Sequence, residues 1–162
     1  MKKILVLCTL VLSLFAAEVK FQTVSPSEAT LLQTGQESHR CPNCAMDLVK
    51  HYKTSHAVKL KDGSYRQYCS IHCLVEEKEM GILRDKKETI IDILAVDTKG
   101  LKMIPADKAF YVIGSNVRGT MSGVSKYAFA AKADAVEFQN ANGGKIGSYD
   151  DAYKATMDDF KK

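Results

Sequence analysis

The segment CPNCAMDL, residues 41–48, places two thiols and a thioether within one short loop: Cys41, Cys44 and Met46. A second thiol pair, Cys69 and Cys73, stands in the segment YCSIHC. Thiols at these spacings have three chemistries open to them: disulfide formation, metal ligation and thiol exchange. Pairing Cys41 with Cys44 and Cys69 with Cys73 would close very short loops, which bring little chain-entropy stabilisation. Four cysteines also make a complete tetrahedral zinc set. A Cys-x-x-Cys pair can be a redox centre, but here it does not open a helix after a first strand, as a thioredoxin-like arrangement requires.

Met46 tilts the balance towards copper(I). Soft thiolate and thioether donors select that ion, whereas a zinc site has no use for a thioether. Copper(I) also accepts two or three ligands, so a mixed Cys-Met site stays open enough to pass its ion on. Taken alone, Met46 would be read as a core filler. His72, between Cys69 and Cys73, is the first histidine candidate as a ligand, and His39, before the Cys-x-x-Cys loop, is the second. His51 and His56 read as ordinary surface or strand residues. Met121, in RGTMSG, sits in a polar, glycine-flanked loop where a core methionine is not expected, and it joins the candidate ligands.

Several elements must position these groups. The runs SHAVKL and SYRQYC flank KDG, a hairpin pattern with Asp62-Gly63 at the turn. SIHCLVEEKEMG follows as a short helix, with Ser70 as its N-cap and Gly81 as its stop. The i, i+4 spacing then puts Cys69 and Cys73 on one face at a strand-to-helix junction, where free amides and the helix dipole favour thiolate. TIIDILAVDT, residues 89–98, is a β-branched run that predicts a buried strand. The same order returns downstream: strands at 109–115 and 126–131, and a helix over 132–144 with Ala133, Val136, Phe138 and Ala141 inward. It closes with a last strand in KIGSYD.

Strand, strand, helix, strand thus occurs twice, about 60 residues apart. The fold class expected is α+β, with two related ββαβ units made by internal duplication. The first unit, 39–99, carries a treble-clef-like Cys-rich metal site, and the second spans 100–150. Residues 18–38 read as a polar leader or linker, and 151–162 as a short helix or frayed tail.

The N-terminus, MKKILVLCTLVLSLFAA, has a basic start, an apolar run over 4–15 and small residues at 16 and 17. This is the layout of a secretory signal over 1–17 and implies a periplasmic protein. An uncleaved anchor, and with it membrane association, remains the alternative. Cys8 lies too early in the apolar run for lipidation. Loss of the two lysines takes the formal charge from +4 to +2. With no basic stripe, nucleic-acid binding is excluded. With no phosphate loop, dinucleotide fingerprint or hydrolase signature, no enzyme activity is expected.

The motifs CPNCAM, KAFYVIGSNVRGTM and YAFAAKADAVEFQNANGGKI together resemble the NosL family, over residues 41–150 or so. That resemblance implies an exported copper(I) chaperone that supplies the copper-sulfide centre of nitrous oxide reductase, working beside a membrane transporter complex of the same maturation system. It implies paired ββαβ units. It also implies that Cys41 is the family's first cysteine, Cys44 and Met46 its Cys-x-Met pair, and Met121 its G-x-M methionine. Two features depart from the pattern: a good lipobox is missing, and Cys69 with Cys73 adds two soft ligands. A structural zinc module and an exported thiol oxidoreductase are the alternatives.

Overall fold

A computed structural model describes residues 20–161. The expected signal peptide and Cys8 lie outside the described residues. Two antiparallel sheets form the frame. In the first, β1 (His56–Leu60) is flanked by β2 (Tyr65–Tyr68) and β3 (Ile90–Val96), and β4 (Met103–Pro105) extends the β3 edge. In the second, β5 (Phe110–Ile113) lies between β6 (Lys126–Phe129) and β7 (Lys145–Gly147). Each sheet therefore puts the first strand of its ββαβ order in the centre.

Between β1 and β2 the turn is held by Asp62, whose Oδ1 accepts from Ser64 N and Oγ, with Gly63 at φ +84°. Helix α1 (Ile71–Glu79) starts directly after β2, with Ser70 as an extended N-cap. It ends where the Met80 and Gly81 amides both reach the Glu76 carbonyl. Helix α2 (Lys132–Asn142) follows β6, and Gly143 closes it at φ 73°. Helix α3 (Tyr149–Asp159) begins at a Ser148–Asp151 capping box. The two sheets are joined where Thr98 N donates to the Ala128 carbonyl and Ala130 N to Asp97 Oδ1. His56, on β1, is also fixed to Tyr111, on β5, by a bond of 3.0 Å between Nε2 and the hydroxyl.

The main core lies under the first sheet and takes in α1, α3 and the cysteines, with Leu48, Val58, Tyr68 and Leu74 among its buried residues. A smaller core, built on Val112, Tyr127, Phe129 and Ala135, joins the second sheet to α2. No helix among the described residues is long and apolar enough to cross a membrane.

Several expectations need correction. Residues 20–38 contain no helix or strand, yet they do not hang free. They form a strap along β2, where the Leu32 amide donates to Gln67 Oε1 and the Gln67 amide to Gln33 Oε1. The strap thereby satisfies the Gln67 amide on the outer edge of β2. β3 is buried only towards its C-terminal end, at Ala95 and Val96, while Ile91 is exposed. The run is broken by Asp92, and burial fades along it: Ile93 and Ala95 pack on the main core, while Ile91, on the same face, is exposed. In α2 the inward residues are Ala135 and Phe138, and Ala133, Val136 and Ala141 face outward. Phe138 sets that phase by packing on Phe21, Tyr127 and Phe129; alanines spread around the helix give periodicity little to read. The last strand stops at Gly147, because Ser148 caps α3. Of the two readings of the C-terminal segment the helix holds, and α3 packs on the main core through Ala152, Tyr153 and Met157.

Candidate metal centre

The Cys-x-x-Cys segment is a tight loop closed by its own backbone. Cys41 N donates to the Met46 carbonyl and Ala45 N to the Cys41 carbonyl, each at 2.8 Å, and Arg40 pairs with Asp47 across the loop's base. Ala45 takes the left-handed conformation, φ 59°, to turn the chain between Cys44 and Met46. Asn43 Nδ2 donates to Glu76 Oε2 at 2.7 Å and pins the loop to α1. The hairpin returns the chain so that Cys69 and Cys73, at the start of α1, meet that loop.

All four sulfur atoms lie within 4.8 Å of one another. Cys44 Sγ is 3.5 Å from Cys69 Sγ, which is 3.6 Å from Cys73 Sγ. The four are free thiols, with Cys41, Cys69 and Cys73 buried and Cys44 partly exposed. Cys41 is held far below the ordinary thiol range, chiefly by the Cys44 thiol and then by Cys69 and Cys73, which donate to it. For Cys44, the bond to Cys41 pushes upward but donation from Cys69 and Cys73 outweighs it, so this thiol is also lowered. Cys69 and Cys73 are pushed up, each first by its bond to Cys41. Backbone amides help as well, Cys69 N–H towards Cys41 and Met46 N–H towards Cys44.

A second group of donors adjoins it. Met46 packs on the core that holds the cysteines and also lines a cavity of about 470 Å³ with His51, Gly119, Thr120 and Met121. Met121 is 40% exposed there. Its loop is anchored on both sides. Thr120 Oγ1 lies 3.3 Å from His51 Nδ1 and 2.8 Å from Thr54 Oγ1, and Thr54 Oγ1 is in turn 2.8 Å from the Cys69 carbonyl oxygen. Ser122 Oγ accepts from Lys126 Nζ at 2.9 Å, and that ammonium is paired with Asp159 of α3 at 2.7 Å. The Arg118 carbonyl accepts from Gln22 Nε2 and Tyr127 OH. Between these anchors Met121 itself is left-handed, φ 61°. Gly119 is required by close approach, since a Cβ there would meet Ser125 Cα at 2.9 Å.

The structure brings Cys41, Cys44, Cys69 and Cys73 to one point, and Met46 and Met121 to one cavity beside it. It does not bring His72 to the sulfur cluster. That ring packs against Phe160, tilted by 55° with centroids 4.6 Å apart, and its buried Nδ1 has no hydrogen-bond partner among the described residues. One residue before Cys73, His72 projects about 100° around the helix from that thiol, on the side of Phe160. His51, set aside as a surface residue, lines the cavity instead, and burial pushes its pKa down so that the neutral imidazole is favoured. No local pattern announces it; only the fold of the 51–54 turn brings it to Met121.

Comparisons with known proteins add the following. A family model described as NosL matches residues 33–157. Among solved structures, the crystal structure of the copper chaperone NosL from Shewanella denitrificans is similar in fold, with a TM-score of 0.55 and 20% sequence identity over 73% of this chain and 92% of that one. No curated protein sequence matches.

Proposed function

The chain belongs to the NosL family, and from that premise we propose that it is a copper-binding chaperone acting as a carrier and not as an enzyme. Its cargo is copper(I). We further propose that it works in the periplasm, where it supplies copper for the copper-sulfide centre of nitrous oxide reductase beside the transporter complex of that maturation system. We read the matching order of the two ββαβ units as internal duplication, with the first unit modified into a treble-clef-like metal module.

One observation carries the copper reading: two thioethers far apart in sequence, Met46 and Met121, line one open cavity, and the His51 imidazole lines it with them. Thioether donors favour copper(I) over divalent ions. The chemistry follows from accessibility. A carrier must hold its ion with few ligands and leave room for a partner's ligand to join before its own depart. Met46, Met121 and His51 offer that set. The anchored loops around Met121 keep the donors in place, so little order has to be created when the ion enters. The surface is close to neutral, which suits docking by shape and local patches over strong charge steering.

The test is anaerobic titration with copper(I) against a chelator of known affinity. One tightly held equivalent per chain is expected. Met46→Leu should weaken it by about tenfold or more, roughly 1.4 kcal/mol. Binding that is absent, or unchanged in Met46→Leu, would contradict the reading.

A further inference from the structure

We propose that the four cysteines form a second, separate metal site that keeps a resident divalent ion of the zinc type, while the methionine-lined cavity handles copper. The zinc site stands on its own observations; the division of labour rests on the copper reading above.

Three features separate this cluster from an exchange site. First, its geometry is closed. For zinc at about 2.3 Å from each sulfur, a tetrahedron has edges of about 3.8 Å. The Sγ separations of 3.5 and 3.6 Å, with all four sulfurs inside 4.8 Å, match that frame before any ion enters. Four protein ligands leave no open position, which is the mark of a structural zinc site. Second, the cluster is walled in. Cys41 is 2% exposed and Cys69 and Cys73 are 0% exposed, so a partner's ligand cannot reach most of the set. Third, the ligands join two parts of the chain that are distant in sequence. The loop 41–46 has no helix or strand of its own and meets α1 through Asn43 and Glu76. An ion bound to all four sulfurs would fasten that loop to the β2–α1 junction, and its binding free energy would become folding free energy. The same loop carries Met46 and, through Thr54 and Thr120, the junction is tied to the Met121 loop. The resident ion would therefore hold the copper donors in register, and would keep four neighbouring thiols from oxidising outside the cytoplasm.

The experiment uses the full chain purified without oxygen. Metal analysis should give about one zinc per chain, unchanged in the Met46→Leu/Met121→Leu double variant. Cys73→Ser should lose most of the zinc. Because that variant can also fail to fold, wild-type protein stripped of metal and reloaded with cobalt(II) provides an independent reading: the visible bands and sulfur-to-cobalt charge transfer of a tetrahedral tetrathiolate site are expected. One equivalent of copper(I), supplied from a chelator buffer to zinc-loaded protein, should then enter without releasing zinc to an indicator dye. Release of zinc one-for-one with copper, or a cobalt spectrum without thiolate bands, would overturn the proposal. Zinc retained in protein that takes up no copper would support the resident site and defeat the copper reading, so the two fail separately.

Discussion

Met46 and Met121 differ in how far a sequence can reveal them. Met46 stands out because cysteines flank it; Met121 stands out only because glycine and polar residues surround it. What the sequence does not reveal is that both turn on left-handed backbone, at Ala45 and at Met121 itself. A non-glycine residue there is held at a cost of about 1 kcal/mol or more, and such strain collects at ligand clamps. Replacing Ala45 by valine, whose branched side chain tolerates this conformation poorly, should lower stability by about 1–2 kcal/mol in urea unfolding. Met121→Leu should shift stability by less than about 0.5 kcal/mol, since the side chain is exposed, yet weaken copper(I) binding by about tenfold. Comparing unfolding with chelator competition on the same sample separates the two effects. His72 and His51 exchanged roles between sequence and structure for a simple reason. Proximity in sequence does not decide which way a helix or turn projects a ring, and both are placed by contacts distant in the chain, with Phe160 and with Thr120.

At the level of elements, most strands and helices were legible where each has a local cause, such as the turn at Asp62-Gly63 and the stop at Gly143. The phase of α2 and the role of residues 20–38 were not, since both are set by tertiary contacts, Phe138 on its aromatic neighbours and Gln67 with Gln33. The convergence of the two cysteine pairs could be anticipated, because a hairpin between them returns the chain. Thr54 links that convergence to the methionine cavity, with one buried hydroxyl 2.8 Å from both the Cys69 carbonyl and Thr120 Oγ1. Thr54→Val keeps the volume and removes the link. It should cost about 1–3 kcal/mol by leaving buried polar groups unsatisfied, and copper affinity should fall although no ligand has changed. Calorimetric unfolding and copper competition together would register both. α3 supports the same cavity from the other side. Lys126→Met leaves Asp159 without the ammonium that is almost fully buried against it, and a loss of about 3–5 kcal/mol in unfolding free energy is expected.

Over the whole molecule, the two sheets act as one support because a buried polar contact crosses between them. Thr54 O can only accept, so His56 carries its proton on Nδ1, and Nε2 accepts from the Tyr111 hydroxyl. Burial lowers the His56 pKa to about 4, against 6.5 for a free imidazole. Between those values the unfolded chain binds more protons than the folded one, so stability falls as the pH drops from about 6.5 to about 4 and levels off below. The full span is roughly 3 kcal/mol. Glu77, pushed up by burial, works in the opposite sense. Urea midpoints of metal-free protein measured across that range should show the decline, and His56→Gln should flatten it. The arrangement as a whole places an open pair of thioethers on a frame stiffened by the cysteine cluster, and that pair is what the copper account depends on. Its most direct test is selenium-edge X-ray absorption of selenomethionine-labelled protein loaded with one equivalent of copper(I). The account predicts copper scattering around selenium, lost when Met46 and Met121 are both leucine. Bound copper with no selenium neighbour in the unsubstituted protein would contradict it.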